Sequence, residues 1–410
     1  EPILAWRAGA GRRGVRGGPR ATTLSREGRL PEGVAVLAVG YGEVLGPALA
    51  AWARSGFRVL EAPPGGACAA LDAGLVLRSG EPKGLSLDHL DTPDWALAAR
   101  ARGHMPYPII HYESVRGCPY RCSFCNYPFL FDDTLFRYKS AARIASDWVR
   151  YAAEGARFVS CLDSLFTVPP KRLRELCARL VSRGAPVQWL CYARADDLAD
   201  LPTARMMRAA GCVQVQIGLE SGDAGVLANM NKRCSPETNL AALENCRTAG
   251  ITSVVSLVVG FPGESDATLE RTFSHLKAGR PDFYFLATFS TRARGVPVLS
   301  AENRARFGLR AASNPRTVAP YWAHDTMSCA EVGNRVRALS RRMMTEEVSL
   351  DASLFYGGIL GFKPAQRAAL LAFQRRSAQR HPLNRAVFDR FNAAVDRRLA
   401  LDVDSWLVHA

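Results

Sequence analysis

The chain has 410 residues, 48% hydrophobic and 22% charged, with 53 Lys and Arg against 38 Asp and Glu. That length and balance bury a substantial core in two or three structural units, which excludes a disordered or fibrous chain, and no apolar run reaches the length of a membrane span. The net charge of +15 raises nucleic-acid binding, but the basic residues fall into short scattered clusters such as Arg12-Arg13, Arg341-Arg342 and Arg375-Arg376, so nucleic acid is not the expected partner.

The first residues, Glu1-Pro2-Ile3-Leu4, form no signal peptide, and the absence of an initial methionine leads us to expect a longer reading frame. Residues 16 to 33 read as a polar stretch containing Gly17 and Gly18. Val34 to Val39 is a predicted strand, followed by the turn Gly40-Tyr41-Gly42-Glu43 and a helix from Glu43 to Arg54 that stops at Gly56. Phe57 to Leu60 reads as a further strand. The double glycine and the Gly-x-Gly turn let the backbone approach a bulky ligand closely, although the same turn opens many α/β units with no ligand there. Residues 1–97, ending in a linker that runs from Leu85 to Trp95, are therefore expected to form a partial Rossmann-like unit.

Next comes Cys118-Pro119-Tyr120-Arg121-Cys122-Ser123-Phe124-Cys125, framed by Ser114, Arg116 and Gly117 before it and Asn126-Tyr127-Pro128 after it. Thiolates this close together in a loop can hold three irons of a 4Fe-4S cluster and leave the fourth iron open to a small molecule. The alternatives are a zinc knuckle completed by His111, or free thiols. The eight other cysteines (Cys68, Cys161, Cys177, Cys191, Cys212, Cys234, Cys246 and Cys329) keep no repeated spacing. They read as reduced, buried thiols of a cytoplasmic protein rather than as a disulfide framework.

Beyond the cysteines, strand and helix signals alternate. Helices are expected over Ser140–Gly155, from Pro170 to Gly184, over Thr203–Ala210, from Ser235 to Gly250, and from an Asp266 cap to Gly279. Strands are expected over Arg157–Leu162, Val187–Tyr192, Cys212–Gly218, Ile251–Val259 and, last, Phe283–Thr288. Repeated βα units with nearly continuous apolar strands indicate a parallel sheet that curls into a partial (β/α) TIM-like barrel over residues 98–310. Polar residues recur where the strands end: Asp163-Ser164, Tyr192 and Arg194, Glu220-Ser221, and Gly260-Phe261-Pro262-Gly263-Glu264. Each alone reads equally as a surface carboxylate or a turn; at successive strand ends behind a cysteine loop they read as a site. Residues 311–410 look helical and carry Tyr321-Trp322-Ala323-His324; they are expected to cap the barrel mouth.

The run Ser114 to Tyr127 resembles the signature of the radical S-adenosylmethionine (SAM) enzymes, and the likeness extends over about residues 98 to 310. The resemblance implies a 4Fe-4S cluster held by Cys118, Cys122 and Cys125, SAM chelated to the open iron, and an electron from a flavodoxin- or ferredoxin-type donor that yields a 5′-deoxyadenosyl radical. It implies Phe124, Asn126 and the Gly260 region beside adenine, Glu220 at the ribose or amino group with Ser221 beside it, Asp163 among the cofactor-binding residues, and Arg194, Lys232 or Arg233 at the carboxylate. Residues 1–97 resemble the later half of the cobalamin-binding domain of one radical SAM subfamily. That likeness implies cobalamin near Gly17, Gly18, Gly40, Gly42 and Glu43, without the usual Asp-x-His-x-x-Gly histidine. The expectation is a cobalamin-dependent methyltransferase acting on an unactivated carbon or phosphinate phosphorus of a small molecule. Ring rearrangement, cyclisation, methylthiolation and RNA modification are the alternatives.

Overall fold

The computed structural model describes residues 14–71, 74–80, 84, 86–95, 109–129, 135–161, 163–291, 295–312, 320–351 and 364–379. Arg12-Arg13, Leu85 and Leu162 lie outside them. The chain divides into two compact units: Glu1–Asp91 with Val115–Tyr120 and Asn126–Tyr138, and Thr92–Ser114 with Arg121–Cys125 and Lys139–Ala410.

The first unit is built on a four-stranded sheet. In chain order its elements are β1 (Gly14–Arg16), α1 (Pro19–Arg26), β2 (Val34–Val39), α2 (Gly42–Arg54), β3 (Ala67–Leu71) and β4 (Gly74–Arg78). The strand order is β1-β2-β4-β3, with β1, β2 and β4 parallel and β3 antiparallel to β4. Alternation along β2 serves two cores: Leu37 and Val39 pack with Ala21 and Leu24 of α1, while Val36 and Ala38 pack with Leu45 and Trp52 of α2. The helix α1 therefore occupies the stretch that reads as merely polar, because its two apolar residues lie three apart on one face. Phe57 to Leu60 is not a strand. Phe57 takes a left-handed φ of 61° as it leaves the helix, and its ring packs edge-on against Trp52 with centroids 5.0 Å apart. An antiparallel hairpin of Val115–Arg116 with Arg137–Tyr138 completes this unit, and Leu87 N–H donates to the Tyr138 carbonyl at 3.1 Å.

The second unit holds the barrel-like sheet. Its strands are β5 (Ile109–His111), β6 (Phe158–Cys161), β7 (Gln188–Ala193), β8 (Cys212–Glu220), β9 (Thr252–Val259) and β10 (Phe283–Thr288). They are parallel and adjacent in chain order. Helices α3 (Ala141–Ala153), α4 (Pro170–Val181), α5 (Leu201–Ala209), α6 (Pro236–Ala249) and α7 (Asp266–Gly279) connect them. One contiguous core fills the space under these helices, with Trp148, Trp189 and Phe166 mutually packed inside it. Asp266 is the first residue of α7 rather than its cap; Ser265 caps, in a reciprocal box with Thr268.

After residue 300 come α8 (Ala301–Phe307), β11 (Arg310–Ala312), β12 (Tyr321–His324), β13 (Met327–Ser328), α9 (Cys329–Thr345), β14 (Leu350–Asp351) and α10 (Pro364–Gln379). Two long helices are present as expected, but Tyr321–His324 is the middle strand of a small antiparallel sheet. Nor is Phe283–Thr288 the last strand, because β14 adds in parallel as the seventh. No helix among the described residues is long and apolar enough to cross a membrane.

Candidate functional site at the carboxyl ends of the strands

In the second unit, the polar residues that follow β5 to β9 gather at one end of the sheet, as parallel strands require. After β5, the Ser114 N–H donates to both oxygens of Asp163 at 3.0 Å and its hydroxyl to one of them at 2.5 Å. Asp163 is thus consumed in anchoring the residue that leads into the cysteine loop. Arg172 donates to the Ser114 carbonyl at 3.3 Å from the other side.

Cys122 is buried, and the Cys125 N–H donates to its carbonyl at 3.1 Å, closing a tight turn. Ser123 inside that turn is pinned three times. Its N–H donates to the Met230 carbonyl at 2.8 Å, its hydroxyl donates to the Asn229 carbonyl at 2.9 Å, and its carbonyl accepts the Val298 N–H at 2.8 Å. The Asn231 carboxamide donates to the Arg121 carbonyl at 2.8 Å. Residues 229–231 are therefore the seat of the Cys122–Cys125 turn.

Lys232 follows that seat. Its ammonium pairs with the Glu220 carboxylate at 3.0 Å, both side chains buried. Burial works to lower the Lys232 pKa, but the Glu220 charge and the neighbouring Cys122 thiol outweigh it and the pKa is raised. Glu220 sits at φ 65°, just after a register shift between Gly218 and Glu220, so a bulge aims its side chain back across the strand end. Arg194 follows β7 and holds the residues after the seat: one guanidinium nitrogen donates to the carbonyls of Lys232 at 2.7 Å and Arg233 at 3.3 Å, and another pairs with Asp196 at 2.8 Å. The Arg233 side chain is exposed. Ser221 turns into the fold: its hydroxyl shares a hydrogen bond with Thr272 and accepts the Asp223 N–H at 3.1 Å.

At the end of β9, Gly260 adopts φ 89° and both its polar atoms are taken. Its N–H donates to Glu264, and its carbonyl lies 3.0 Å from His324 Nε2. That nitrogen must carry the proton, so Nδ1 accepts from Thr326. Burial lowers the His324 pKa and raises that of Glu264 to about 7. Phe124 meets Phe261 edge-on at 6.3 Å; Phe261 meets Phe289 at 5.3 Å, and Phe289 meets Trp322 at 5.0 Å. Thr272 and Phe289 carry no signal of their own in the sequence. Glu264 does, by its place directly after the Gly-Phe-Pro-Gly turn, where a carboxylate can reach back to an orphan N–H.

Cys118 and Asn126 belong to the first unit. Asn126 is exposed. A Cβ on Gly117, the residue before Cys118, would stand 2.0 Å from the Leu135 carbonyl, so only glycine fits where the hairpin closes. Among the described residues no three His, Cys, Asp or Glu side chains converge as they would around a metal ion. The sequence groups Cys118, Cys122 and Cys125 as ligands, and the structure divides them, with Cys118 in the first unit and Cys122 and Cys125 in the second. The donor set itself, three thiols with a buried cation beside Cys122, suits iron–sulfur chemistry better than zinc.

Gly17, Gly18, Gly40, Gly42 and Glu43 lie in the first unit, where β1 and β2 end side by side. Gly40 needs its φ of 107° and its bareness, since a Cβ would stand 2.1 Å from Ser79 Oγ, which accepts the Tyr41 N–H at 3.1 Å. Glu43 forms an ion pair with Arg116. Tyr41 is buried, with the Arg137 guanidinium 4.1 Å from its ring centroid and that of Arg116 at 5.7 Å.

Residues 112–276 match the radical SAM superfamily. An uncharacterised methyltransferase of Pyrococcus horikoshii is 25% identical over 208 residues, 49% of this chain and 44% of that one. The anaerobic magnesium-protoporphyrin IX monomethyl ester cyclase of Rubrivivax gelatinosus is 28% identical over 222 residues, 53% of this chain and 39% of that one. This chain thus spans less than half the length of either. Among solved structures, the cobalamin-dependent SAM radical enzyme OxsB with aqua-cobalamin and SAM bound superposes with a TM-score of 0.59 at 14% identity. That alignment covers 83% of this chain and 55% of OxsB, and it shows a common fold.

Proposed function

We propose that this chain, a radical SAM protein by its residues 112–276, is an enzyme that cleaves SAM reductively and methylates a small molecule with the help of cobalamin. The observation that carries the reading is the seating of the Cys122–Cys125 turn on residues 229–231, which brings Cys122 beside the buried Lys232–Glu220 pair. The methyltransferase name of the Pyrococcus relative and the cobalamin in the OxsB structure support the finer assignment. The bound cluster and SAM would supply a 5′-deoxyadenosyl radical, and cobalamin the methyl group, for an unactivated carbon or a phosphinate phosphorus.

In this reading Cys118, Cys122 and Cys125 hold the cluster. Glu220 and Lys232 face the polar groups of SAM, and Phe124 and Phe261 present an apolar edge to its adenine. Asp163, Arg194 and Ser221 act one step back. Asp163 fixes Ser114, Arg194 fixes the turn beneath Lys232, and Ser221 ties the end of β8 to α7. The backbone of Gly260 is engaged by Glu264 and His324, so it shapes the strand end rather than offering free hydrogen bonds. In the first unit, Gly17, Gly18 and Gly42 leave bare backbone at the strand ends where cobalamin would lie, and Gly40 makes room for Ser79. Glu43 braces Arg116 instead. Electrons would come from a flavodoxin- or ferredoxin-type donor.

A second reading, radical ring formation, has one observation in its favour, the cyclase relative of Rubrivivax gelatinosus. The test is anaerobic reconstitution with iron, sulfide and cobalamin, then dithionite and SAM, with products followed by mass spectrometry. Methyl transfer yields 5′-deoxyadenosine together with S-adenosylhomocysteine; ring formation yields 5′-deoxyadenosine without it. No cleavage, or cleavage that survives Cys122→Ala, would falsify the reading.

A further inference from the structure

The seat of the cysteine turn is the end of a short helix, Ala224–Asn229, whose cap Asp223 accepts the Val226 N–H at 2.8 Å. Asn231 takes a left-handed φ of 50° just after it, and the helix stops there. A helix end leaves its last carbonyls without partners of its own. Here Ser123 satisfies two of them, its hydroxyl donating to the Asn229 carbonyl and its N–H to the Met230 carbonyl. The backbone of Asn229 is thus committed to the cysteine turn.

Its side chain holds something else. The carboxamide nitrogen, Nδ2, donates to the Pro262 carbonyl at 3.2 Å, and the carboxamide oxygen accepts from Arg306 of α8 at 3.0 Å. A carbonyl only accepts and a guanidinium only donates, so the carboxamide has one orientation. The fit is close. A Cβ on Gly263 would stand 2.3 Å from Nδ2.

Pro262 lies in the turn that follows β9. In that turn the Gly260 carbonyl faces His324, and the Phe261 carbonyl accepts the Glu264 N–H at 2.9 Å. The Pro262 carbonyl is held by Asn229 instead, from outside the turn. The same two turns meet through Phe124 and Phe261, whose rings stand edge-on at 6.3 Å. A ring contact of that kind tolerates sliding, whereas a hydrogen bond weakens steeply with distance and angle. Asn229 therefore ties the cysteine turn by its backbone and the β9 turn by its side chain.

We propose that Asn229 is a positioning residue for SAM. It sets the distance between the cysteine turn and the β9 turn, and Arg306 keeps its carboxamide aimed at Pro262. The inference rests on the reading that SAM binds with its amino-acid end at the cluster and its adenine against Phe124 and Phe261. A ligand that engages two places gains from their being joined only when their spacing matches its own span. Loosening that spacing weakens the whole molecule and leaves the contacts of each end as they were. Asn229 acts through the two turns and not by touching SAM.

The test uses the full chain, reconstituted anaerobically with iron and sulfide and left without reductant. Dissociation constants are measured by equilibrium dialysis for SAM and for its two halves, 5′-deoxyadenosine and L-methionine. Asn229→Ala should weaken SAM about tenfold and leave both halves within twofold of wild type. Asn229→Asp keeps an acceptor for Arg306 but offers Pro262 no donor, so it should show the same split. That variant carries the test if Asn229→Ala does not fold. Unchanged SAM affinity in a folded variant would overturn the proposal. So would equal weakening of SAM and both halves, because Asn229 would then support the contacts themselves and not their spacing. Wild-type chain that assembles a cluster yet binds no SAM would remove the SAM reading, and this proposal with it. Tight SAM binding that is indifferent to Asn229 would remove the proposal alone.

Discussion

Glu220 and Lys232 meet at 3.0 Å across a position that has room for no side chain. A Cβ at Gly218 would stand 2.3 Å from the Glu220 carboxylate oxygen and 3.0 Å from the Lys232 nitrogen. Gly218→Ala should therefore push the pair out of register. Overpacking of this kind costs about 1–3 kcal/mol, readable by urea denaturation, and SAM affinity should fall with it. A variant with wild-type stability and wild-type SAM affinity would show that the pair has slack and that the bulge is not shaped around it.

The pair itself should behave as a coupled unit. Lys232→Met leaves the Glu220 carboxylate buried without its cation, a loss on the order of 3–5 kcal/mol. Glu220→Gln with Lys232→Met removes both charges and should recover most of that loss. The double-mutant cycle would then return a large coupling energy. Additive effects would mean that water, not Lys232, compensates Glu220.

How far these features are legible in sequence depends on their range. The βα alternation is plain because each strand is a short apolar run and each helix has a local cap, as with Ser140, whose side chain accepts the Arg143 N–H. The strand-end positions follow from that alternation, so Glu220, Arg194 and Asp163 are found at once. Their partners are not. The Asp163–Ser114 contact spans 49 residues and the Arg194–Lys232 contact 38, and neither spacing leaves a periodic trace. The sheet at Tyr321–His324 is missed for a related reason. Its middle strand has four residues, all buried, so no polar alternation marks it as a strand. Likewise α1 hides in a basic, Thr-rich stretch in which Ala21 and Leu24 supply the buried apolar face.

Glu264 should make stability depend on pH. Burial raises its carboxyl to about 7 in the folded chain, above the ordinary glutamate value of 4.5 that applies when unfolded. Between those values the folded state binds more protons, so its contribution is fully present below about pH 4.5 and is lost as pH rises toward 7. The span corresponds to about 3 kcal/mol. Glu264→Gln keeps an acceptor for the Gly260 N–H but cannot titrate, so denaturation midpoints of wild type and variant should diverge across that window and run parallel above it. Parallel curves throughout would place the carboxyl in contact with solvent.

In the first unit, Tyr41 should matter for its ring and not for its hydroxyl. The buried Arg137 guanidinium lies 4.1 Å from the ring centroid, and burial lowers its pKa to about 10, so contact with the ring face offsets part of its desolvation. A desolvated cation over an aromatic face is worth about 2 kcal/mol. Tyr41→Leu should lose about that much, seen as faster hydrogen exchange in β2, whose end leads into Tyr41. Tyr41→Phe keeps the face and should exchange like wild type. If Tyr41→Phe is as damaging as Tyr41→Leu, the hydroxyl carries the contact.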